Sequence, residues 1–385
     1  MDGPEADRFL NSLEPIGWKL GLERMELLSD ELGRPQDRFD SIHVVGTNGK
    51  SSVSRMIAAI CEAHGVPSGC SLSPHLRSWS ERVVIGGRED PELFARAVER
   101  TAEAAAAVNA RLEGEEITQF ELATAAAFVA LAEAGVRLAV VEAGLGGRLD
   151  ATNSIPSKVT VLTSIGLDHT EFLGETEVEI AGEKLAVLRP GTTLVLGPVS
   201  DEVRGLARQT AEERGCELIE VAAAPGGFQR TNFAVAEAAA ARYLGEISEA
   251  KAERAVDDLV IHGRLERVGE DPPVYADVAH NPAGAAALAR SLPELVGEVP
   301  VIGVIGVLSD KDAAGMLEAL SGALDHAVFT GLPEGALAAW GARHGLSGEV
   351  EERPARALER ARGLASERGG AVVITGSHFL LAPGE

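Results

Sequence analysis

The chain has 385 residues, too many for a single compact core, and two or three domains are expected from length. Hydrophobic residues make up 45% of it, while 59 acidic against 35 basic side chains give a formal charge of −24, which argues against nucleic acid or an anionic membrane surface as partner. The opening MDGPEADRFLNSLEP lacks the basic start and apolar run of a secretion signal, no stretch reads as a membrane span, and Cys61, Cys70 and Cys216 form no C-x-x-C pair, so a cytoplasmic protein with reduced thiols is expected.

Residues 1–40 read as helical, with apolar positions Leu20, Met25, Leu27, Leu28 and Leu32 closing at Gly33 and Pro35. Next, the β-branched run Ile42–Val45 stops at Gly46, and Gly49-Lys50-Ser51-Ser52 enters a helical pattern through Met56, Ile57 and Ile60. Strand, glycine turn and helix make the geometry in which backbone N–H groups and a helix N-terminus cradle phosphate while a lysine reaches the outer phosphates. The strict G-x-x-x-x-G-K-[ST] pattern is missed by one residue, because Val44 stands where its first glycine belongs. The compact form G-T-N-G-K-S-S points to a particular branch of nucleotide binders.

Further along, Gly65–Leu72 can form a short strand ending at Ser73-Pro74-His75, and residues 90–112 and 118–134 are Ala-rich helical stretches. The apolar run Arg137–Ala143 suits a strand buried on both faces of a parallel sheet; Glu142 lies at its end, followed by the glycine-rich loop Gly144–Gly147 and Arg148–Asn153. Strand Val159–Ile165 leads into Gly166-Leu167-Asp168-His169, a helix over Glu175–Leu188 carries Lys184, and Leu194–Leu196 gives another strand. Residues 222–231 read as a loop before a helix starting near Asn232, and Ile261–Glu266 reads as a hinge. Beyond it the alternation begins afresh, with strands at Val274–Val278, Val301–Val307, Ala327–Thr330 and Val372–Thr375 and helices at 282–296, 312–324 and 354–367. The alternation predicts an α/β protein with a mostly parallel, doubly wound first domain over 1–262 and a smaller Rossmann-like domain over 263–385.

Ser73, Glu142 and His169 each fall at the predicted C-terminal end of a strand in the domain that carries Lys50, the edge where open α/β sheets bind ligands. Singly each has an ordinary explanation, as a turn residue, a solvated strand end and a loop hydrogen-bonder. Together, beside a phosphate loop, a carboxylate and a hydroxyl suit Mg²⁺, which prefers oxygen ligands; His169 is the least expected member.

These stretches carry a resemblance. GLERMELLSDELGRPQDRFDSIHVVGTNGKSSV, SLSPHL followed by ERVVI, TQFELATAAAF, VVEAGLGGRLDATN, SIGLDHTEFLG, DVAHNP, GVLSDKD and TGSHFLL resemble, in order from about residue 20 to 381, the folylpolyglutamate synthase/dihydrofolate synthase branch of the Mur ligase superfamily. The resemblance implies a P-loop, Mur-ligase-type ATP-binding domain followed by a Rossmann-like domain, with folate held between them. It implies a ligase that activates a carboxylate as an acyl phosphate, which the amino group of L-glutamate attacks to give an amide, ADP and phosphate. ATP, L-glutamate and a reduced folate or dihydropteroate are then the expected partners, Mg²⁺ the cofactor, and a monomer the expected state.

Carried over by motif, Gly46, Thr47, Asn48, Gly49, Lys50, Ser51 and Ser52 would bind the nucleotide phosphates, and Ser73, Glu142 and His169 would hold Mg²⁺. Asn232, Arg264 and Asp277 match nucleotide-contacting residues, His280 falls near the incoming glutamate, and Lys184 matches a lysine carbamylated in relatives. Lys50, Lys184 and His280 are thus the implied catalytic residues. The chain departs from the family at Ser51, usually glycine, at Leu185-Ala186-Val187, at Phe228-Gln229 and at Val278-Ala279, and the region before Asn232 is shorter. Those departures keep open a ligase of the same superfamily with a different acid and amine. A nucleotide-binding switch without ligase chemistry would not need Glu142, His169, Lys184 and Asp277 together.

Overall fold

The structure, a computed structural model, describes residues 1–13, 21–112, 114–309, 311–331 and 345–381. Leu20 of the N-terminal helical reading and Asp310 of the GVLSDKD motif lie outside the described residues. The chain divides into two compact units, Met1–Ala223 with Thr231–Leu259, and Ala224–Arg230 with Val260–Glu385. Among the described residues no helix is long and apolar enough to cross a membrane.

The first unit is built on eight strands: β1 (Asp40–Val45), β2 (Ser68–Ser71), β3 (Val83–Ile85), β4 (Arg88–Glu89), β5 (Leu138–Glu142), β6 (Val159–Leu162), β7 (Thr193–Leu196) and β8 (Glu217–Glu220). Their order is β4-β3-β2-β5-β1-β6-β7-β8. The six from β2 to β8 run parallel, and β3 and β4 fold back antiparallel at one edge. Central strands read as continuous apolar runs because helices cover both faces: Ile42, Val44, Val140, Val141 and Val161 are fully buried. The helices Pro91–Asn109 and Gln119–Glu133 pack Phe94, Val98, Phe128 and Leu131 against Leu10, Met25 and Leu28 of the N-terminal helices. Each has a clear start signal. Asp90 accepts from Leu93 N–H ahead of Pro91, and Thr118 with Glu121 forms a capping box. Glu121 is buried yet satisfied, since it also binds the buried Arg24 guanidinium at 3.0 Å.

The second unit carries β9 (Arg264–Gly269), β10 (Val274–Asp277), β11 (Val301–Ile305), β12 (His326–Phe329), β13 (Gly348–Val350) and β14 (Ala371–Thr375), in the order β13-β12-β11-β14-β10-β9, with β9 alone antiparallel. The helices Pro282–Val296 and Ala313–Leu320 cover one face through Leu288, Leu292, Met316 and Leu317, and Pro354–Arg368 covers the other through Ala357, Ala361 and Leu364.

Two expectations change. The helix placed near Asn232 begins at Gly227, because after Gly226 and Gly227, both at positive φ, nothing in Phe228–Thr231 interrupts it. Part of the hinge over Ile261–Glu266 is strand: Arg264–Glu266 opens β9, which pairs with β10 through two register shifts. The short strands β3, β4, β8 and β13, at or next to the sheet edges, had no reading of their own. At β8 the pattern Glu217-Leu218-Ile219-Glu220 carries only two apolar residues, too little to separate a strand from a loop.

Candidate active site

Sheet order gathers the candidate residues. Ser73 follows β2, Glu142 ends β5, the loop from Gly46 follows β1 and His169 follows β6, and these four strands are consecutive in the sheet and parallel. All four segments therefore open at the same C-terminal edge.

The loop between β1 and the helix Lys50–Ala63 needs glycine at both ends. Gly46 has φ +147, and a Cβ there would lie 2.0 Å from Thr163 Oγ1; Gly49 has φ +84, and a Cβ there would lie 2.7 Å from Asn232 Oδ1. Asn232, 9% exposed, thus lies directly over the phosphate loop. The loop is pinned to the segment after β6. Thr47 N–H donates to the Ser164 carbonyl at 2.8 Å, Asn48 N–H to Ser164 Oγ at 3.1 Å, and Thr163 Oγ1 to the Asn48 carbonyl at 2.7 Å. Thr47 Oγ1 also binds both the N–H and the carbonyl of Gly166. Lys50 Nζ curls back to donate to the carbonyls of Gly46 at 3.0 Å and Thr47 at 3.2 Å.

Glu142 is 3% exposed and tied to two neighbours: Ser51 Oγ donates to its Oε1 at 2.9 Å and Ser73 N–H to its Oε2 at 3.1 Å. The two loop hydroxyls therefore part company. Ser51 points at the carboxylate, whereas Ser52 is buried with an Oγ that has no hydrogen-bond partner. His169 sits in the left-handed region at φ +50, its N–H donating to Asp168 Oδ1 at 3.0 Å. Among the described residues no three His, Cys, Asp or Glu side chains gather as a metal site. The Ser51 hydroxyl and the Glu142 carboxylate nevertheless supply oxygen donors of the kind Mg²⁺ takes, with further positions left for phosphate and water. Close by, Arg82 donates to His75 Nδ1 at 3.0 Å and lies 4.1 Å over the Trp79 ring, and burial pulls its pKa down to about 10.

Lys184 is 3% exposed, on the helix Glu177–Leu185, with Nζ donating to the Leu145 carbonyl at 2.9 Å. Burial pushes its pKa down to about 7, the Lys50 charge adds to this, and Asp150 and Asp168 oppose it. The amine is thus partly neutral at physiological pH. Its acceptor belongs to the loop after β5, which Asp150 stitches together by accepting from Leu145 N–H, Gly146 N–H, Thr152 N–H and Thr152 Oγ1. Buried His43 backs this arrangement through Thr152 Oγ1 at 2.9 Å.

In the second unit Arg264 and Asp277 stand opposite each other on β9 and β10. Asp277 is 4% exposed and accepts from Leu265 N–H and Ala279 N–H; burial raises its pKa despite the nearby Arg264 charge. His280 follows on the same strand end, its Nδ1 2.9 Å from the Val278 carbonyl, so that nitrogen carries the proton.

Sequence reading assigned no role to Asp150, Asp168, Arg82 or Thr163. Asp150 had a usable signal, since an aspartate two residues before a threonine after a glycine-rich run is an Asx-turn pattern. Arg82 and Thr163 had none, because their positions matter only once β2, β5, β1 and β6 are adjacent.

Comparison with known proteins bears on the whole chain. The Mur ligase middle domain family matches residues 44–242 and the Mur ligase glutamate ligase domain family residues 263–378. Dihydrofolate synthase/folylpolyglutamate synthase of Mycobacterium tuberculosis is 35% identical over 80% of this chain and 74% of its own length. The structure of Mycobacterium tuberculosis folylpolyglutamate synthase complexed with ADP and AMPPCP superposes with a TM-score of 0.90 at 31% identity, covering 98% of this chain and 97% of that one. The bifunctional folylpolyglutamate synthase/dihydrofolate synthase of Yersinia pestis, complexed with AMPPNP and Mn ion, gives 0.86 at 29% identity, covering 99% and 96%. The chain therefore belongs to the folylpolyglutamate synthase/dihydrofolate synthase family of Mur ligases and is an ATP-dependent acid–amino-acid ligase.

Proposed function

We propose that this ligase joins L-glutamate in amide linkage to a reduced folate, using ATP to activate the folate carboxylate as an acyl phosphate. The observation that carries the reading is the unit formed by Lys50, Ser51, Ser73 and Glu142 at one sheet edge, in a chain matched along its length by enzymes of that name. Dihydropteroate is a second acceptor, supported by the double name of the Mycobacterium tuberculosis relative.

In this reading Gly46, Thr47, Asn48 and Gly49 offer backbone around the phosphates, and Asn232 supports the loop over Gly49. Lys50 leaves the Gly46 and Thr47 carbonyls for the outer phosphates, where its charge stabilises the transferring group. Ser51, Ser73, Glu142 and His169 would hold Mg²⁺, which supplies neutralisation of phosphate charge when bound. Lys184, as a neutral amine, adds CO₂: its nitrogen bonds to carbon, a proton leaves, and an anionic carbamate replaces a cation that would repel the metal. Arg264 and Asp277 contact nucleotide, and His280 orients the incoming glutamate. Residues 1–262 and 263–385 are inferred to be the ATP-binding and glutamate-ligase domains of a monomeric, cytoplasmic enzyme without nucleic-acid or membrane partners, which the charge of −24 supports.

The test is ADP release by purified protein with ATP, Mg²⁺ and glutamate. Release that depends on tetrahydrofolate supports the main reading, and release that depends on dihydropteroate supports the second acceptor. ATP turnover dependent on neither acid would overturn the folate assignment and leave a superfamily ligase of other substrates.

A further inference from the structure

The edge of the first unit's sheet where the parallel strands begin, opposite the phosphate loop, carries two adjoining cavities. One, about 510 Å³, is lined by Asp40, Arg137, Lys158, Arg242 and Tyr243 among others; the second, about 480 Å³, is lined by Arg34, Asp37 and Arg189, and Lys158 and Thr192 border both. The two shared residues set the cavities side by side along one groove, each within the size range of small-molecule sites.

Its charge runs against that of the chain. Five cations, Arg34, Arg137, Lys158, Arg189 and Arg242, face two carboxylates, Asp37 and Asp40, whereas the whole chain has 35 basic against 59 acidic residues. Some of these cations are spoken for. Arg34 binds Asp30 and Asp37, Lys158 binds Asp40 at 2.7 Å, and Arg242 binds Glu217 at 2.6 Å. Tyr243 donates its hydroxyl to the same Asp40 at 2.9 Å, so that carboxylate is already shared.

Two guanidiniums form no ion pair among the described residues, although the Arg137 charge helps hold the nearby Asp40 carboxyl below its ordinary range. Arg137 is exposed at the groove wall and forms no ion pair. Arg189 is only partly exposed and donates solely to neutral acceptors, the carbonyls of Asn153 and Ile155 and the Asn153 side-chain oxygen. Burial and the nearby Arg214 charge lower its pKa, the opposite of what a carboxylate neighbour does. Arg214 likewise donates only to carbonyls, those of Ala186 and Leu188.

We propose that this groove is an accessory anion site, separate from the nucleotide site, that takes a small polyvalent oxyanion, either a polyphosphate-type or an oligocarboxylate molecule. Guanidinium forks suit both phosphate and carboxylate, and cations strung along two joined cavities fit several charges in a row better than one. In a protein of net charge −24 such a groove is where an anion gains rather than loses electrostatic energy.

The test uses the full chain already saturated with ADP and Mg²⁺, so that the nucleotide site is filled. Sodium tripolyphosphate in one arm and a short oligo-γ-glutamate in the other are titrated by calorimetry into wild type and into Arg137→Glu, an exposed site at which folding is not at stake, with Arg242→Gln as a second variant. Saturable binding in either arm, weakened about tenfold or more in Arg137→Glu and reduced in Arg242→Gln, supports the site, and the arm that binds names the ligand source. No saturable binding in either arm, or equal affinity in wild type and Arg137→Glu, would overturn it.

Discussion

The two edges of the first unit's sheet handle charge in opposite ways. At the edge where strands end, Glu142 and Lys184 are each 3% exposed and fixed by named neighbours, and Lys184 titrates near neutrality. At the edge where strands begin, the side chains of Lys158 and Arg242 are about half exposed, at 57% and 47%, and pair with Asp40 and Glu217 as ordinary surface cations do. A lysine amine is buried with its pKa drawn down to about 7 at one edge and is a solvated ammonium at the other. Burial, rather than residue type, makes the difference.

The strongest way to break that contrast is Lys50→Ala. It removes the cation from the loop edge, and ATP turnover should fall by roughly two to four orders of magnitude, on the order of several kcal/mol of barrier, with the melting temperature little changed. Steady-state ADP release and a thermal melt measure both; turnover within about tenfold of wild type would contradict the role.

Lys184 sharpens the contrast through pH. Its folded-state pKa of about 7 lies below the ordinary lysine value of 10.5, so between those values the unfolded chain holds a proton that the folded chain lacks. Stability should therefore rise with pH across that window, by up to a few kcal/mol, and become flat below it, where both states are protonated. Denaturant titrations of wild type and Lys184→Met at several pH values test this, since the variant should lose the slope. In parallel, Lys184→Ala should lose activity that bicarbonate or a short carboxylate partly restores.

A smaller effect is expected at Gly49→Ala. The φ of +84 and the contact with Asn232 oppose any side chain, and a loss of about 1–3 kcal/mol of stability with weaker nucleotide binding should appear in melts and in ADP titrations. Lys158→Ala, at the exposed edge, should change stability by only about 0–1 kcal/mol, and a larger loss measured by denaturant would show that the two edges are less different than described.

Much of this was legible in sequence because the first domain announces itself locally. Gly46, Gly49 and Lys50, set between a β-branched run and a helical pattern, mark the phosphate loop although the strict spacing is missed by one residue, and the apolar runs of β1, β5 and β6 are long enough to read as buried strands. What escaped depends on contacts between distant segments. Nothing near Ser51 or Ser52 reveals which hydroxyl meets Glu142, because the answer lies in how β1 and β5 pair. Likewise the depressed pKa of Lys184 comes from its burial beneath a loop nearly 40 residues away, for which the helix pattern around it holds no sign.

Trp79 has a consequence of another kind. Its indole lies against both the Arg82 guanidinium and the His75 ring, 4.5 Å between ring centroids, with its own N–H donating to Asn11 at 2.8 Å. Arg82 Nε–H donates to His75 Nδ1 at 3.0 Å, so guanidinium, imidazole and indole form one contacting cluster. Trp79 is therefore a built-in optical sensor a few residues from Ser73. The fluorescence lost in Trp79→Phe isolates its signal, and that signal should shift whenever Arg82 or His75 moves.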